Sequence, residues 1–174
     1  MRQTILFLLI ILGLSNCYSQ KPNVEGRCLD PKFEKKIINS LNFSIETLTV
    51  SQLKESKDGY LLMDAREKEE FETSHIPGAI HVGYDHFEIE KYQDLDKDKP
   101  ILVYCSIGYR SEKIGEKLKK AGFKHVYNLF GSIFEWANQS NGLEDNKGME
   151  TQNIHTYNRS WGQWINNPKI KKVY

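Results

Sequence analysis

Residues 101–111 read "ILVYCSIGYRS": four apolar residues, a cysteine, a short loop containing Gly108, and then Arg110 and Ser111 leading into a lysine-rich stretch. Four apolar residues bounded on both sides fit a fully buried strand. The stretch "SEKIGEKLKKAGF" that follows has helical spacing and ends at Gly122. Strand, loop and helix in that order put Cys105 at the carboxyl end of a central strand, where open α/β sheets bind ligands. There the backbone N–H groups of a loop made of Ser106, Ile107, Gly108, Tyr109, Arg110 and Ser111 converge with a helix N-terminus. Such surroundings favour a thiolate and can bring a cysteine pKa from about 8.5 to roughly 4 to 7. Arg110 adds a permanent charge and a forked donor suited to an oxyanion. Gly108 allows a tight loop, and Ser111 is placed to cap the helix. A lone cysteine at a strand end is more often a small apolar residue; the spacing of Gly108, Arg110 and Ser111 favours the reactive reading.

Outward from this stretch the same alternation repeats. "YLLMDA" (60–65) is a short apolar run with Asp64 at its C-terminal edge, and "REKEEFETS" (66–74) a helical segment. "IPGAIHV" holds a turn and a short strand, "HFEIEKYQDL" a helix, "DKDKP" a solvated turn, "HVYNL" a strand, and "GSIFEWANQS" a turn into a helix. Short strands alternating with helices predict an α/β domain, a central parallel sheet flanked by helices on both faces. Before it, "DPKFEKKIINSL" has Asp30 as N-cap, Pro31 at the first helical position and Phe33, Ile37, Ile38 and Leu41 at helical spacing. "TVSQLKESKDG" offers Thr49 with Gln52 three residues on, a capping box, and Gly59 beyond the end.

With 174 residues, one domain is expected. Arg2 and the apolar "ILFLLIILGL" form an export signal over residues 1–19. Two processing readings compete: cleavage after Ser19, or lipidation of Cys17 as the anchor of a lipoprotein. Both place the chain outside the cytoplasm, in a periplasm, secreted, or held to a membrane. Residues 20–43 are read as an extension with a short helix, 44–140 as the domain, and 141–174 as an extension with a linker and then an aromatic packing element of Tyr157, Trp161 and Trp164. Of 24 basic and 23 acidic side chains, only Arg2 lies in residues 1–19, leaving 23 of each. That balance gives no reason to expect a nucleic-acid partner.

Three cysteines, one of them Cys17, are too few for a disulfide scaffold. Cys28 and Cys105 could form one disulfide, be two buried bystanders, or comprise a reactive thiol and an unrelated companion; the last reading is preferred, with Cys28 the bystander and a resolving role the weaker alternative. His75, His81, His86, His125 and His155 have no metal-ligand spacing with the cysteines. No metal and no cofactor are expected.

Three separated blocks resemble the single-domain rhodaneses, the thiosulfate or persulfide sulfurtransferases. "CSIGYRS" matches their C-x-x-G-x-R-S loop. "MDAREKEEFETSHIPGAIHV" resembles their D-x-R-x-x-x-E-F-x-x-x-H-I-x-G-A signature through Asp64, Arg66, Glu70, Phe71, His75, Ile76, Gly78 and Ala79. "LKKAGFKHVYNLFGSIFEW" is similar to the family's closing block. The likeness covers residues 44 to 138. It implies that Cys105 takes the outer sulfur of a donor anion or persulfide and passes it to a thiol or to cyanide, in two half-reactions. Asp64, Arg66 and Glu70 are read as structural, with an Arg66 to Glu70 ion pair. Ser106 and Ser132 depart from the pattern, where many relatives carry a basic or bulky polar residue and a second glycine. The reduced loop charge puts thiosulfate in doubt as the natural donor. Two other readings stand beside this one: a non-catalytic interaction module of the same fold, and a Cys-dependent phosphatase or arsenate reductase. The latter class spaces Cys and Arg by five residues, against the four of "SIGY".

Overall fold

A computed structural model describes residues 26–174. The proposed export signal and the Cys17 lipid site lie outside the described residues. Asp30 caps α1 (Pro31–Ser40) through its side chain, with Pro31 in the first turn, because the orphan N–H groups there need an acceptor and proline has none to lose. A short strand β1 (Glu46–Leu48) precedes α2 (Val50–Ser56), whose Thr49–Gln52 capping box is formed in both directions. Then come β2 (Leu61–Asp64), α3 (Lys68–Thr73), β3 (Ile80–His81), β4 (Ile101–Tyr104), α4 (Tyr109–Lys120), β5 (Val126–Leu129) and α5 (Ser132–Asn138).

The five strands form one sheet in the order β1-β5-β4-β2-β3, every pair parallel, with β4 in the middle. All four residues of β4 are buried, as a strand covered on both faces must be. Alternation along the strands divides the core. Leu62, Leu102, Tyr104 and Leu129 join α1, α2 and α5 on one face, while Met63, Ile101, Val103 and Val126 meet Ile114 and Leu118 of α4 on the other. This is the α/β architecture expected from the sequence, with helices on both faces.

Three local expectations change. "HFEIEKYQDL" forms only a 3₁₀ turn at Ile89–Tyr92. Phe87 and Tyr92 stack with ring centroids 5.6 Å apart, and Phe87, Ile89, Tyr92 and Leu95 cover the α4 side of the core as a loop rather than as one helix face. The segment after residue 141 is not a plain linker: β6 (Leu143–Glu144) and β7 (Glu150–Thr151) make a hairpin whose Glu144 also bridges to His75. The tail continues through β8 (Asn153–His155), α6 (Arg159–Gly162) and β9 (Lys171–Val173), β8 and β9 pairing in parallel. Trp164 stacks on Phe33 at 5.6 Å, and Trp161 lies against the same core. Tyr157 does not pack away as its neighbours do; it remains 59% exposed. Among the described residues no helix is long and apolar enough to cross a membrane.

Candidate active site

The parallel sheet delivers Cys105 at the end of its central strand, and the next three residues turn into α4. Gly108 occupies the N-cap position with φ of 120°, a conformation that side chains rarely adopt. A Cβ there would meet Leu41 and Asn128 at 3.4 to 3.5 Å, ordinary contact, so it is the backbone conformation that calls for glycine. The helix thus starts at Tyr109, with Gly108 and not Ser111 at the cap. The Ser111 hydroxyl lies inside the first turn, 3.0 Å from the Gly108 carbonyl, 2.7 Å from Asn128 Oδ1 and 3.5 Å from Cys105 Sγ.

Cys105 is 1% exposed. The Gly108 N–H donates to its sulfur at 3.2 Å. Burial pushes the thiol up, but the Arg110 charge, the Ser111 hydroxyl and the N–H groups of Ser111 and Gly108 outweigh it and hold the thiol below its ordinary value. Its own backbone is fixed as well. The Cys105 N–H donates to Ser132 Oγ at 3.1 Å, and its carbonyl accepts from the Ile133 N–H.

Arg110 is not free to grip a substrate with its fork. Its Nη1 and Nη2 donate to Glu70 Oε2 and Oε1 at 2.7 and 2.9 Å, and Nη2 also reaches Ser106 Oγ. Ser106 in turn donates to Glu70 Oε1 at 3.1 Å. Burial alone would raise the Glu70 carboxyl, yet the bonds from Arg110 and the charges of Arg110 and Arg66 keep it below the usual range. The expected Arg66–Glu70 ion pair is therefore corrected. Arg66 pairs with Asp64 at 2.6 Å, both fully buried, and Glu70 turns to the loop. The reason is local geometry: Arg66 precedes Glu67, the N-cap of α3, so it does not share a helix face with Glu70.

Two further residues escaped the sequence reading, and a third, Ser132, entered it only as a departure from the family pattern. Asn128, a polar residue inside an apolar strand, donates to the Gly108 carbonyl at 2.9 Å and braces the loop from β5. Glu112 accepts the N–H groups of Asn42 and Ser44, tying the chain after α1 onto α4. Ser132, with φ of 51°, holds the Cys105 backbone from the start of α5. A lone polar residue in an apolar run was the one sequence signal, and it marks only Asn128.

Above the loop opens a cavity of about 690 Å³. Cys105, Ser106, Ile107, Tyr109 and Arg110 line it from below; Ser40, Glu67, Tyr84, Asp85, Tyr157 and Trp161 complete the wall. Cys28 lies elsewhere, in the apolar cluster of the opposite face, and both thiols are free. Burial and the carboxylates of Glu135 and Glu34 push the Cys28 thiol far up, so it is held protonated. Among the described residues no three His, Cys, Asp or Glu side chains come together as a metal site. The arrangement can present one buried, charge-stabilised sulfur to a small reactant.

Comparison with known proteins bears on this geometry. The model of the rhodanese-like domain matches residues 49–139, just over half of the chain. The thiosulfate sulfurtransferase GlpE of Coxiella burnetii is 35% identical over 81 residues, 46% of this chain and 74% of that protein. A putative sulfur carrier protein, YrkF of Bacillus subtilis, is 33% identical over 49% of this chain and 46% of its own length. Among solved structures, a rhodanese-related protein of Thermoplasma volcanium superposes with a TM-score of 0.52 at 25% identity, over 57% of this chain and 97% of that one. A matched domain model and a relative covered over most of its length agree with the parallel sheet and its strand-end cysteine loop: the chain belongs to the rhodanese-like family.

Proposed function

We propose that this protein is a sulfurtransferase that carries a sulfane sulfur on Cys105. The observation that carries the reading is the sulfur's own surroundings: an all but buried Sγ that accepts the Gly108 N–H at 3.2 Å, beside the Arg110 charge and at a helix N-terminus. In the first half-reaction the Cys105 thiolate attacks the outer sulfur of a persulfide or thiosulfate. A new S–S bond forms, the donor's S–S bond breaks, and a thiolate or sulfite leaves with the electron pair. In the second, an acceptor thiolate or cyanide attacks the terminal sulfur and Cys105 departs as thiolate, so no external oxidant is needed. The loop N–H groups stabilise the anionic persulfide as they do the thiolate, an effect of a few kcal/mol in comparable anion holes.

The phosphatase reading is disfavoured by the same geometry. A phosphate site needs the arginine fork, and here Glu70 and Ser106 occupy it. Export, by cleavage after Ser19 or lipidation of Cys17, belongs to the proposal on the strength of the residue pattern at positions 2–19; the intact mass of the native protein decides between the two forms and an unprocessed one. The transfer itself is tested by mass spectrometry of the purified protein after polysulfide or thiosulfate and again after cyanide. A gain of about 32 Da that cyanide removes is expected, one sulfur atom on a thiol.

A further inference from the structure

Of the three residues of the cavity wall outside the matched residues 49–139, Ser40 ends α1, and Tyr157 and Trp161 come from the C-terminal extension. The tail brings them there because β8 runs beside α3, the helix that carries Glu70. Tyr157 is held at φ of 64°, a strained conformation for a bulky residue, with its ring exposed and 5.9 Å from the Arg110 guanidinium. Burying this ring against the core would have been the ordinary outcome. Instead the backbone turns it to the cavity, where Tyr84, Tyr109 and Trp161 also present aromatic surface.

The charged residues of the wall are two carboxylates and one guanidinium. Arg110 is the cation among the lining residues, and Glu70 neutralises it through two hydrogen bonds. Glu67 stands 4.0 Å from the same guanidinium, and Asp85 is the second carboxylate of the lining. Lys36 sits on the Trp161 ring at 5.1 Å and is not part of the lining. Arg110 faces Cys105 at the floor of the cavity, and with Glu70 offsetting its charge, Glu67 and Asp85 leave the wall net negative.

We infer that Tyr157 and Trp161 of the C-terminal extension, with Glu67 and Asp85, select an organic thiol or persulfide that bears a positive charge beside its sulfur, against anionic sulfur compounds. Cation–π contact with the exposed Tyr157 ring and attraction to the carboxylates act on the same group, with Trp161 supplying apolar surface beside them. This inference rests on the sulfur-transfer reading above. The chemistry is shared by a free amine thiol and by a peptide cysteine next to lysine.

The test loads Cys105 with polysulfide, verifies the added sulfur by mass, and follows transfer to cysteamine, 2-mercaptoethanol and 2-mercaptoethanesulfonate at equal thiolate concentration and low salt. Glutathione persulfide in free solution supplies the baseline selectivity. Cysteamine should outpace the sulfonate by about tenfold beyond that baseline, and the gap should shrink in about 0.5 M salt and in the Glu67→Gln/Asp85→Asn variant. Tyr157→Ala should raise KM for 4-(aminomethyl)benzenethiol about fivefold with kcat little changed, since the ring binds and does not react. A cysteine–lysine peptide that outpaces cysteamine assigns the site to peptides, and the reverse to free amine thiols. Normal sulfur loading with selectivity no greater than the baseline overturns this inference alone. Failure to load from any donor overturns the transfer reading and this inference with it.

Discussion

Glu70 of α3 holds Arg110 of α4 by both ends of its guanidinium, at 2.7 and 2.9 Å, and so fixes the one positive charge that faces Cys105. Arg110→Met removes that charge. The thiol pKa should rise, and the pH at which sulfur loading reaches its alkaline plateau should move up with it. It also leaves the Glu70 carboxylate short of its partner, at roughly 2 to 4 kcal/mol of stability. The double variant Glu70→Gln/Arg110→Met should recover much of that stability in chemical denaturation and none of the shift in the pH profile.

The pH dependence has a definite sign. The Cys105 thiol titrates below its ordinary value of 9.0 because the Arg110 charge and the loop donors outweigh burial. Loading should therefore be flat above the folded pKa and fall as pH drops through it, about tenfold per unit. The same shift adds stability above the unfolded thiol pKa that is lost as pH falls through the folded one. Stopped-flow loading between pH 4 and 10 checks the first statement, and denaturation of wild type against Cys105→Ala over that range the second.

Ser132 combines a positive φ of 51° with a hydroxyl that accepts the Cys105 N–H. Ser132→Gly relieves the backbone while losing the bond, and Ser132→Ala loses the bond with the strain intact. Alanine should cost about 1 to 3 kcal/mol and glycine roughly 1 kcal/mol less, read from urea midpoints at constant m-value.

The tail should be a structural part of the molecule. Trp164 stacks on Phe33, Asn138 accepts the N–H groups of Asn166 and Asn167, and Ile154 and Ile165 are buried in the main core. Trp164→Ala should cost about 2 to 3 kcal/mol. Truncation after Asn146 should lower the melting temperature further, by differential scanning calorimetry.

What the sequence disclosed was what local chemistry decides. Asp30 before Pro31, and Thr49 with Gln52, define helix starts within four residues, and both caps are formed as read. The cysteine loop was legible for the same reason: Gly108, Arg110 and Ser111 act within six residues of Cys105. Partner choice was not legible. Glu70 is four residues from Arg66 and forty from Arg110, and only the pairing of β2 with β4 in parallel register brings the more distant partner within reach. The tail strands are two or three residues long, too short for periodicity to register, and their partners lie far along the chain, as in Glu144 with His75. Tyr157 was misread because clustered aromatics ordinarily bury together, and a positive φ at one of them cannot be seen in a sequence.

The central claim is that Cys105 is the sulfur carrier, and intact mass of three proteins tests it most directly. After treatment with polysulfide, wild type and Cys28→Ser should each gain about 32 Da that cyanide removes as thiocyanate, and Cys105→Ser should gain nothing. Retention of the sulfur adduct by Cys105→Ser at the wild-type rate, or its loss in Cys28→Ser alone, would contradict the account.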